Sequence, residues 1–360
     1  MPDVADALLQ GMSLAEKVGQ LNHLSAAEDT TGAGGAVADV EGRIRRGEVG
    51  SLGGGIELAR LRALQKVAVE ESPSKIPILF TLDVIHGHRT IFPLPLGLAC
   101  SWDAELIRRT ARVAATEAAA AGIALAWAPM LDVSRDACWG RCAESPGEDP
   151  VLGAMFPSAM VAGYQQDDLA HPDSVMATAK HFAGYGFAEG GRDYNAADIS
   201  SYRTHNVVLP PFKAAVDAGV GAVMVGFHDL AGIPCTAHSE LLGDLLRRRW
   251  GFEGLIVSDY TAIMELVNHG VAENAKAAAS MAFNAGVDID LASGIYLQYL
   301  PQLVEDGHIA ESAIDGACLR VLRAKERLGL SKPRTAVSMQ RDRQLSRSPL
   351  QTASSRGKPR

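Results

Sequence analysis

VMATAKHF, residues 175–182, is a nearly unbroken apolar run that ends in a lysine and a histidine. Similar runs lie on both sides of it along the chain: VGSLGGGI (49–56), PILFTLD (77–83), ALAWAPMLD (124–132), AVMVGF (222–227), LIVSD (255–259) and VDIDL (287–291). Continuous apolar runs of this length are typical of parallel strands covered on both faces. Helical patterns separate them, for example over residues 103–121 and 311–328. The chain is therefore predicted to repeat a strand–helix unit.

This repeat predicts the fold class. With 360 residues, 47% of them hydrophobic, the chain can bury a large core. Repeated strand–helix units over most of residues 1–330 favour a single α/β domain, a (β/α)8 barrel of the TIM type. No Gly-rich phosphate loop follows the first run, which disfavours a nucleotide-binding sheet. An eighth strand has no clear counterpart in the sequence.

The charge distribution separates a body from a tail. Residues 331–360 carry eight Lys/Arg and one acidic residue, whereas the whole chain has a net charge of −8. The acidic body repels phosphate, so we expect no nucleic-acid partner. The basic tail is rich in Ser, Arg and Pro and is predicted to be disordered, with a nucleic-acid-binding tail as an alternative. A non-native end after a truncation would have the same composition.

The sequence carries no strong pattern for a membrane span, a secretion signal or a metal site. No apolar run reaches the roughly 18 residues that a membrane span needs. The N-terminus lacks a basic region followed by an apolar one, so we expect a cytoplasmic protein without membrane contact. The five cysteines are scattered, and Cys138 and Cys142 have no second Cys/His pair at zinc-site spacing. Free thiols and no metal are expected.

Ionisable side chains stand where six of the apolar runs end. They are Asp83, Asp132, the pair Lys180–His181, His228, Asp259 and Asp290. The carboxyl ends of barrel strands converge on one face, which is where barrel enzymes carry their chemistry. A single strand-end aspartate is often only a helix cap. Six such ends together favour a site.

Two of these ends suggest chemistry. Asp259 is either a helix cap or a nucleophile, as in retaining glycosidases, which also need a second carboxyl about 5–5.5 Å away. The neighbouring Tyr260 would then stack on a sugar ring. Lys180 and His181 offer two donors for adjacent hydroxyls. The alternatives are a structural salt bridge with a packed histidine, or a Schiff-base lysine as in barrel aldolases.

A metal-dependent alternative also stays open. Binuclear metal hydrolases on barrels carry a His-x-His, a strand-end lysine, further histidines and an aspartate. The corresponding residues here are His86, His88, Lys180, His205, His228 and Asp259. The His-x-His follows Asp83 in a glycine-containing turn rather than lying on a strand, which weakens this interpretation.

The segment SRDACWGRCAESPGEDP (134–150) is a long loop after the third strong run. We predict a salt-bridge web within it, formed by Arg135, Arg141, Glu144, Glu148 and Asp149. Arg141 or Glu144 is the member that would turn toward a ligand.

The motifs together resemble a known family. They are MSLAEKVGQL (12–21), TLDVIHGHRTIFPLPLGLA (81–99), WAPMLDVSRDACWGRCAESPGEDP (127–150), KHFAGYG (180–186), GAVMVGFHDLAGIPCTAH (221–238) and GFEGLIVSDY (251–260). In this order they resemble the N-terminal barrel of glycoside hydrolase family 3, with bacterial periplasmic-type β-glucosidases as the nearest likeness. The resemblance spans about residues 8–330.

The resemblance implies a role for each matching residue. Asp259 matches the nucleophile, and Asp83, Arg141, Lys180 and His181 match the residues that hold the hydroxyls of the −1 sugar. Tyr260 stands where many relatives have Trp, and Phe227 where some have Tyr. The implied reaction is retaining hydrolysis of terminal, non-reducing β-D-glucosyl residues, with a β-glucoside or oligosaccharide as substrate and no cofactor.

The resemblance also raises the question of the acid/base. In two-domain members it is a Glu in a following α/β sandwich domain, which we expect to be absent from this chain. Single-domain β-N-acetylglucosaminidases use a His/Asp dyad after the Lys-His strand, and KHFAGYGFAEGGRDYNAADIS (180–200) lacks that histidine. We therefore expect impaired turnover. The alternatives are a crippled sugar-binding barrel and an acetylglucosaminidase-like member. A face left uncovered by the missing domain would favour self-association.

Overall fold

A computed structural model describes residues 4–25 and 39–330 of the chain. The predictions made for the basic tail, residues 331–360, lie outside the described residues. No helix within the described ranges is long and apolar enough to cross a membrane.

Short strands alternate with helices along the chain. The strands are β1 (Asn22–Ser25), β2 (Ser51–Gly53), β3 (Leu79–Leu82), β4 (Leu125–Ala126), β5 (Met176–Phe182), β6 (Ala222–Val225), β7 (Asp229–Leu230), β8 (Ile233–Pro234), β9 (Leu255–Val257) and β10 (Asp290–Leu291). Eight of them form one parallel sheet in the order β10-β1-β2-β3-β4-β5-β6-β9. A parallel bridge between Val257 of β9 and Ile289, the residue before β10, joins the two ends of this order. The sheet thus closes almost completely into the predicted (β/α)8-type barrel.

Helices surround this barrel. They are α1 (Val4–Gln10), α2 (Leu14–Gln20), α3 (Val40–Arg45), α4 (Leu58–Glu70), α5 (Pro95–Ala99), α6 (Ala104–Ala120), α7 (Pro150–Gln165), α8 (Ser201–Arg203), α9 (Leu209–Asp217), α10 (Ala262–Asn268), α11 (Ala275–Ala285), α12 (Ile295–Glu305) and α13 (Glu311–Arg327). Further turns are 3-10 helical, including Gly140–Glu144, or π-helical, including Glu240–Arg249. The two helices predicted at residues 103–121 and 311–328 are confirmed as α6 and α13.

Local sequence signals explain where α6 and α7 begin and how they pack. Asp103 accepts a hydrogen bond from the Leu106 N–H at 2.9 Å and caps α6. Asp149 accepts bonds from the Val151 and Leu152 N–H groups and caps α7. A Cβ on Gly163 of α7 would lie 2.6 Å from the Ala111 Cβ of α6. Only glycine at this position lets the two helices approach so closely.

A buried ion cluster lies at the seam where β9 meets β10. Asp288 is completely buried and accepts from Arg247 Nη2 at 2.6 Å and from the Ile256 N–H at 2.8 Å. Its other oxygen accepts from Arg320 Nε on α13 at 2.7 Å. One carboxylate therefore ties two outer helical segments to the strand that leads to Asp259.

The predicted strands are confirmed, and the missing eighth strand is β1. Its sequence, NHLS, is too short and too polar to stand out as an apolar run. Asn22 and His23 are nevertheless buried, because the Asn22 Nδ2 donates to the Glu48 carbonyl at 2.7 Å and His23 Nδ1 bonds Ser51 Oγ at 2.8 Å. All five cysteines are free thiols, as expected.

Candidate active site

Asp259 follows the last residues of β9 and lies almost fully buried at the carboxyl end of the barrel. Its Oδ1 accepts a hydrogen bond from the backbone N–H of Tyr260 at 2.7 Å. Its Oδ2 is buried and has no hydrogen-bond partner among the described residues. Burial raises the pKa of Asp259 to about 6, while the positive charges of Lys180 and Arg141 limit the rise. The carboxyl is thus mainly ionised at neutral pH, with one oxygen unengaged.

Lys180 and His181 both reach this site from β5. The pairing of β5 with β6 is irregular between Ala179 and Phe182, and the Lys180–His181 peptide bond is cis. Lys180 is buried, and its Nζ lies 2.7 Å from Asp83 Oδ1 after β3. The Asp83 side chain is 64% exposed, so it stands at the mouth of the site. The structural salt bridge considered for Lys180 is therefore present, and it joins two of the predicted site residues.

His181 lies between two charged partners. Its Nδ1 is 2.9 Å from Asp132 Oδ2, and its Nε2 is 3.0 Å from Arg141 Nη2. The same Nε2 lies 3.5 Å from Asp259 Oδ2. Burial, helped by the charges of Arg141 and Lys180, places the pKa of His181 well below its usual value. The imidazole is therefore neutral.

Arg141 comes from the short 3-10 helix Gly140–Glu144 in the long loop. Its Nε and Nη2 donate to the two carboxylate oxygens of Glu144 at 2.8 and 3.0 Å. Desolvation lowers the pKa of Arg141, but the hydrogen-bonded Glu144 outweighs this and raises it. The bidentate pair fixes the guanidinium plane against His181.

The rest of the predicted salt-bridge web in this loop is wrong. Arg135 donates to the backbone carbonyl of Glu148 rather than to a carboxylate. Asp149 caps α7 instead of pairing with an arginine.

A cluster of aromatic side chains packs against His181. The Tyr185 ring meets His181 edge-to-face at 5.4 Å between centroids and stacks on His228 at 5.0 Å. Phe227 packs within this cluster at 4.3 Å from the exposed Tyr194 ring. Tyr260 is half-buried and packs against the same cluster. Large rigid rings thus form one wall beside Asp259.

The histidines of the metal-dependent alternative do not come together. His228 is fully buried, and its Nε2 bonds the Ala183 carbonyl at 3.1 Å. His86 Nδ1 bonds the Phe92 carbonyl at 3.0 Å, and His205 is exposed on a helical turn. Within residues 4–25 and 39–330, no group of three or more His, Cys, Asp or Glu residues could hold a metal ion. The binuclear-metal hypothesis for these residues is wrong.

Two carboxyl groups gain importance that the sequence did not assign. Asp132 stands at a strand end, and no local pattern in the sequence predicts its contact with His181. Glu265 on α10 is half-buried, and burial together with the charge of Asp259 raises its pKa to about 7. Asp290, by contrast, accepts from Ser293 and the Tyr296 N–H, which is the helix-cap role that a strand-end aspartate often has.

Comparison with known proteins now identifies the family. The model of the glycosyl hydrolase family 3 N-terminal domain matches residues 13–324. The chain belongs to glycoside hydrolase family 3. It is 42% identical over 333 residues to a periplasmic β-glucosidase of Salmonella typhimurium, covering 91% of this chain and 43% of the relative. A β-xylosidase of Formosa agariphila is 40% identical over 263 residues, covering 69% of this chain and 36% of that enzyme.

A solved structure shows the same barrel. The β-glucosidase from Listeria innocua in complex with isofagomine has a TM-score of 0.88 and 36% identity, with 95% of this chain and 49% of that chain covered. The family 3 chain therefore spans less than half the length of these relatives. The barrel fold and the resemblance to a family of glycoside hydrolases are confirmed.

Proposed function

We propose that this family 3 barrel carries the nucleophile and sugar-binding half of a retaining β-glycosidase. The proposed substrate is a β-glucoside or oligosaccharide with a terminal, non-reducing β-D-glucosyl residue. One observation carries the proposal: in the described part of the chain, the buried Asp259 has one oxygen without a hydrogen-bond partner, next to Lys180, His181 and Arg141. A charged carboxyl is rarely buried in this way without a functional reason.

The proposed first step is attack of Asp259 Oδ2 on the anomeric carbon. The bond from that carbon to the leaving-group oxygen breaks, and a glycosyl–enzyme ester forms. Water then attacks the same carbon, releases the sugar with net retention and regenerates the carboxylate. Asp83, Arg141, Lys180 and His181 would hold the sugar hydroxyls, and Tyr260 would flank the ring.

We further propose that the acid/base is not one of the carboxyls around the nucleophile. Asp83 is paired with Lys180, Glu144 with Arg141, and Asp132 with His181. Glu265 is the remaining carboxyl near Asp259, and substitution decides whether it acts as the acid/base. General acid assistance is typically worth about 10²–10⁴-fold. Turnover should therefore depend steeply on the leaving group, and it should be best on activated aryl glucosides. A Glu265→Gln variant that lost activity only on poor leaving groups would overturn this part.

Glucose is the proposed sugar, and xylose is the second candidate. The named relatives include a β-glucosidase at 42% identity and a β-xylosidase at 40% identity, so the relatives alone do not decide. Rates on matched nitrophenyl β-glucoside, β-xyloside and β-N-acetylglucosaminide decide between the sugars. A preference for the acetylglucosaminide would contradict the proposal.

The nucleophile is tested by trapping. A 2-deoxy-2-fluoroglucoside with a dinitrophenyl leaving group needs no acid to react, and it should label the peptide that contains Asp259. Asp290→Asn, which alters another buried strand-end aspartate, should still be labelled, whereas Asp259→Asn should not. A label on another residue, or none at saturating reagent, would refute the assignment.

The runner-up is a barrel that binds sugar without turning it over. It predicts equal hydrolysis of aryl glucosides by wild type and Asp259→Ala, together with retained glucose binding.

The cytoplasmic location stays a prediction, since one relative is described as periplasmic.

A further inference from the structure

Asp132 is a buried carboxyl that cannot touch a substrate. It follows β4 behind His181 and is 1% exposed. Its Oδ2 accepts from the His181 backbone N–H at 3.0 Å and from His181 Nδ1 at 2.9 Å. Its Oδ1 accepts from the Tyr185 N–H at 3.2 Å. Every polar contact of this side chain thus leads to the segment that carries the site histidine.

The contacts of His181 determine which ring nitrogen carries the proton. An arginine side chain has only donors, so Nε2 must accept from Arg141 Nη2 at 3.0 Å. A neutral imidazole with an acceptor at Nε2 carries its hydrogen on Nδ1. That hydrogen is donated to Asp132. The carboxylate and the guanidinium therefore select the same tautomer from opposite sides of the ring.

This tautomer affects Asp259. The Nε2 atom lies 3.5 Å from Asp259 Oδ2 and presents a lone pair rather than an N–H group. Oδ2 consequently receives no hydrogen bond from this nitrogen, which agrees with its lack of any described partner. A donor at this point would stabilise the carboxylate and weaken it as a nucleophile.

We propose that Asp132 is a positioning residue that holds His181 in the Nδ1–H tautomer and so keeps a hydrogen-bond donor away from the attacking oxygen of Asp259. This inference rests on the proposed nucleophilic role of Asp259. Its structural half, the tautomer, can be measured whether or not the protein turns over a glycoside.

The first test is ¹⁵N NMR of histidine-labelled protein, with His181 assigned by comparison with His181→Gln. The wild type should show a protonated Nδ1 and an unprotonated Nε2 across neutral pH. A protonated Nε2 would overturn the proposal without reference to activity. Absence of turnover with a protonated Nδ1 would instead count against the proposed function.

The second test removes the acceptor. Asp132→Ala leaves Arg141 alone to select the tautomer, so part of the His181 population should carry its proton on Nε2, with the Arg141 guanidinium turned away from the ring. Asp259 Oδ2 can accept that proton, and the pKa of Asp259 measured by ¹³C NMR should fall. The rate of enzyme glycosylation should fall about tenfold to a hundredfold, as expected for one hydrogen bond to a charged group, with KM changed less. Asp132→Asn can still turn its carbonyl oxygen toward Nδ1 and should restore much of the tautomer and of the rate.

The matched control is Asp290→Ala. Asp290 is equally buried and accepts hydrogen bonds from Ser293 and Tyr296, with no described contact to His181. It should lower thermal stability while leaving the His181 tautomer and the pKa of Asp259 unchanged. If Asp132→Ala also leaves both unchanged and slows glycosylation no more than Asp290→Ala, Asp132 has only a structural role and the proposal fails.

Discussion

Removal of the Asp288 carboxylate should cost far more stability than removal of a surface carboxylate at the same distance from its partner. Asp288 is completely buried and binds Arg247, Arg320 and the Ile256 N–H at 2.6–2.8 Å. Loss of one partner of a buried pair typically costs about 3–5 kcal/mol, because the remaining charge stays desolvated. The Arg247 and Arg320 side chains are 19% and 33% exposed, so water can partly solvate them. We therefore expect about 3 kcal/mol for Asp288→Ala.

The control is Asp306→Ala. Asp306 pairs with Lys276 at the same 2.6 Å, but its side chain is 49% exposed, and an ion pair in contact with water contributes little to stability. Urea unfolding followed by circular dichroism gives both free energies of unfolding. Asp288→Asn keeps the volume and one acceptor oxygen and should fall between Asp288→Ala and wild type. An Asp288→Ala loss no larger than that of Asp306→Ala would show that the seam cluster does not hold the barrel closed.

Four further predictions concern charge and surface. Burial raises the pKa of Asp259 from 3.8 to about 6, so folding favours its protonated form. The free energy of unfolding of wild type should therefore fall by up to about 3 kcal/mol relative to that of Asp259→Asn as pH rises from about 4 to 6. Urea unfolding at each pH measures this, and parallel plots of stability against pH for the two proteins would contradict it. The pKa of Glu265, raised to about 7 by burial and then by the Asp259 charge, should fall in Asp259→Asn when it is followed by ¹³C NMR. Burial lowers the pKa of Lys325 from 10.5 to about 7, so folding favours its neutral form. Wild type should therefore lose stability as pH falls from about 10.5 to about 7, whereas the Tm of Lys325→Met should depend less on pH. Ile91 and Leu94 are exposed in the segment between β3 and α5, and we expect concentration-dependent self-association that Ile91→Asp with Leu94→Asp weakens; a wild-type monomer in light scattering at all concentrations would refute this.

The fold could be predicted because most barrel strands are covered on both faces and therefore read as apolar runs. This rule fails for β1, whose buried Asn22 Nδ2 donates to the Glu48 carbonyl and whose buried His23 Nδ1 bonds Ser51 Oγ. Partners that are distant in the chain cannot be read from a local pattern. A four-residue strand of this kind is visible only when its neighbours are in place.

The site was predictable to the extent that strand ends converge on one face. Asp83, Lys180, His181 and Asp259 come together for that reason, and Arg141 joins them from the long loop. Whether a strand-end side chain points inward or behind depends on packing, which is why His228 turns to the Ala183 carbonyl. Glu265 had no signal, since it lies on a helix and its importance comes from the nearby Asp259 charge.

The position of β1 has a consequence for synthesis of the chain. β1 lies between β2 and β10 in the barrel, so one of its two neighbours is made almost last. Ribosomes add about 5–20 residues per second, so β1 leaves the ribosome tens of seconds before β10 exists. During that time it is an open sheet edge, the kind of surface that recruits other chains. A strand of four residues, with a polar Asn22 and His23, is poorly suited to such recruitment. The polar character that hides β1 in the sequence is therefore also the character expected to limit edge-to-edge pairing while the barrel is incomplete.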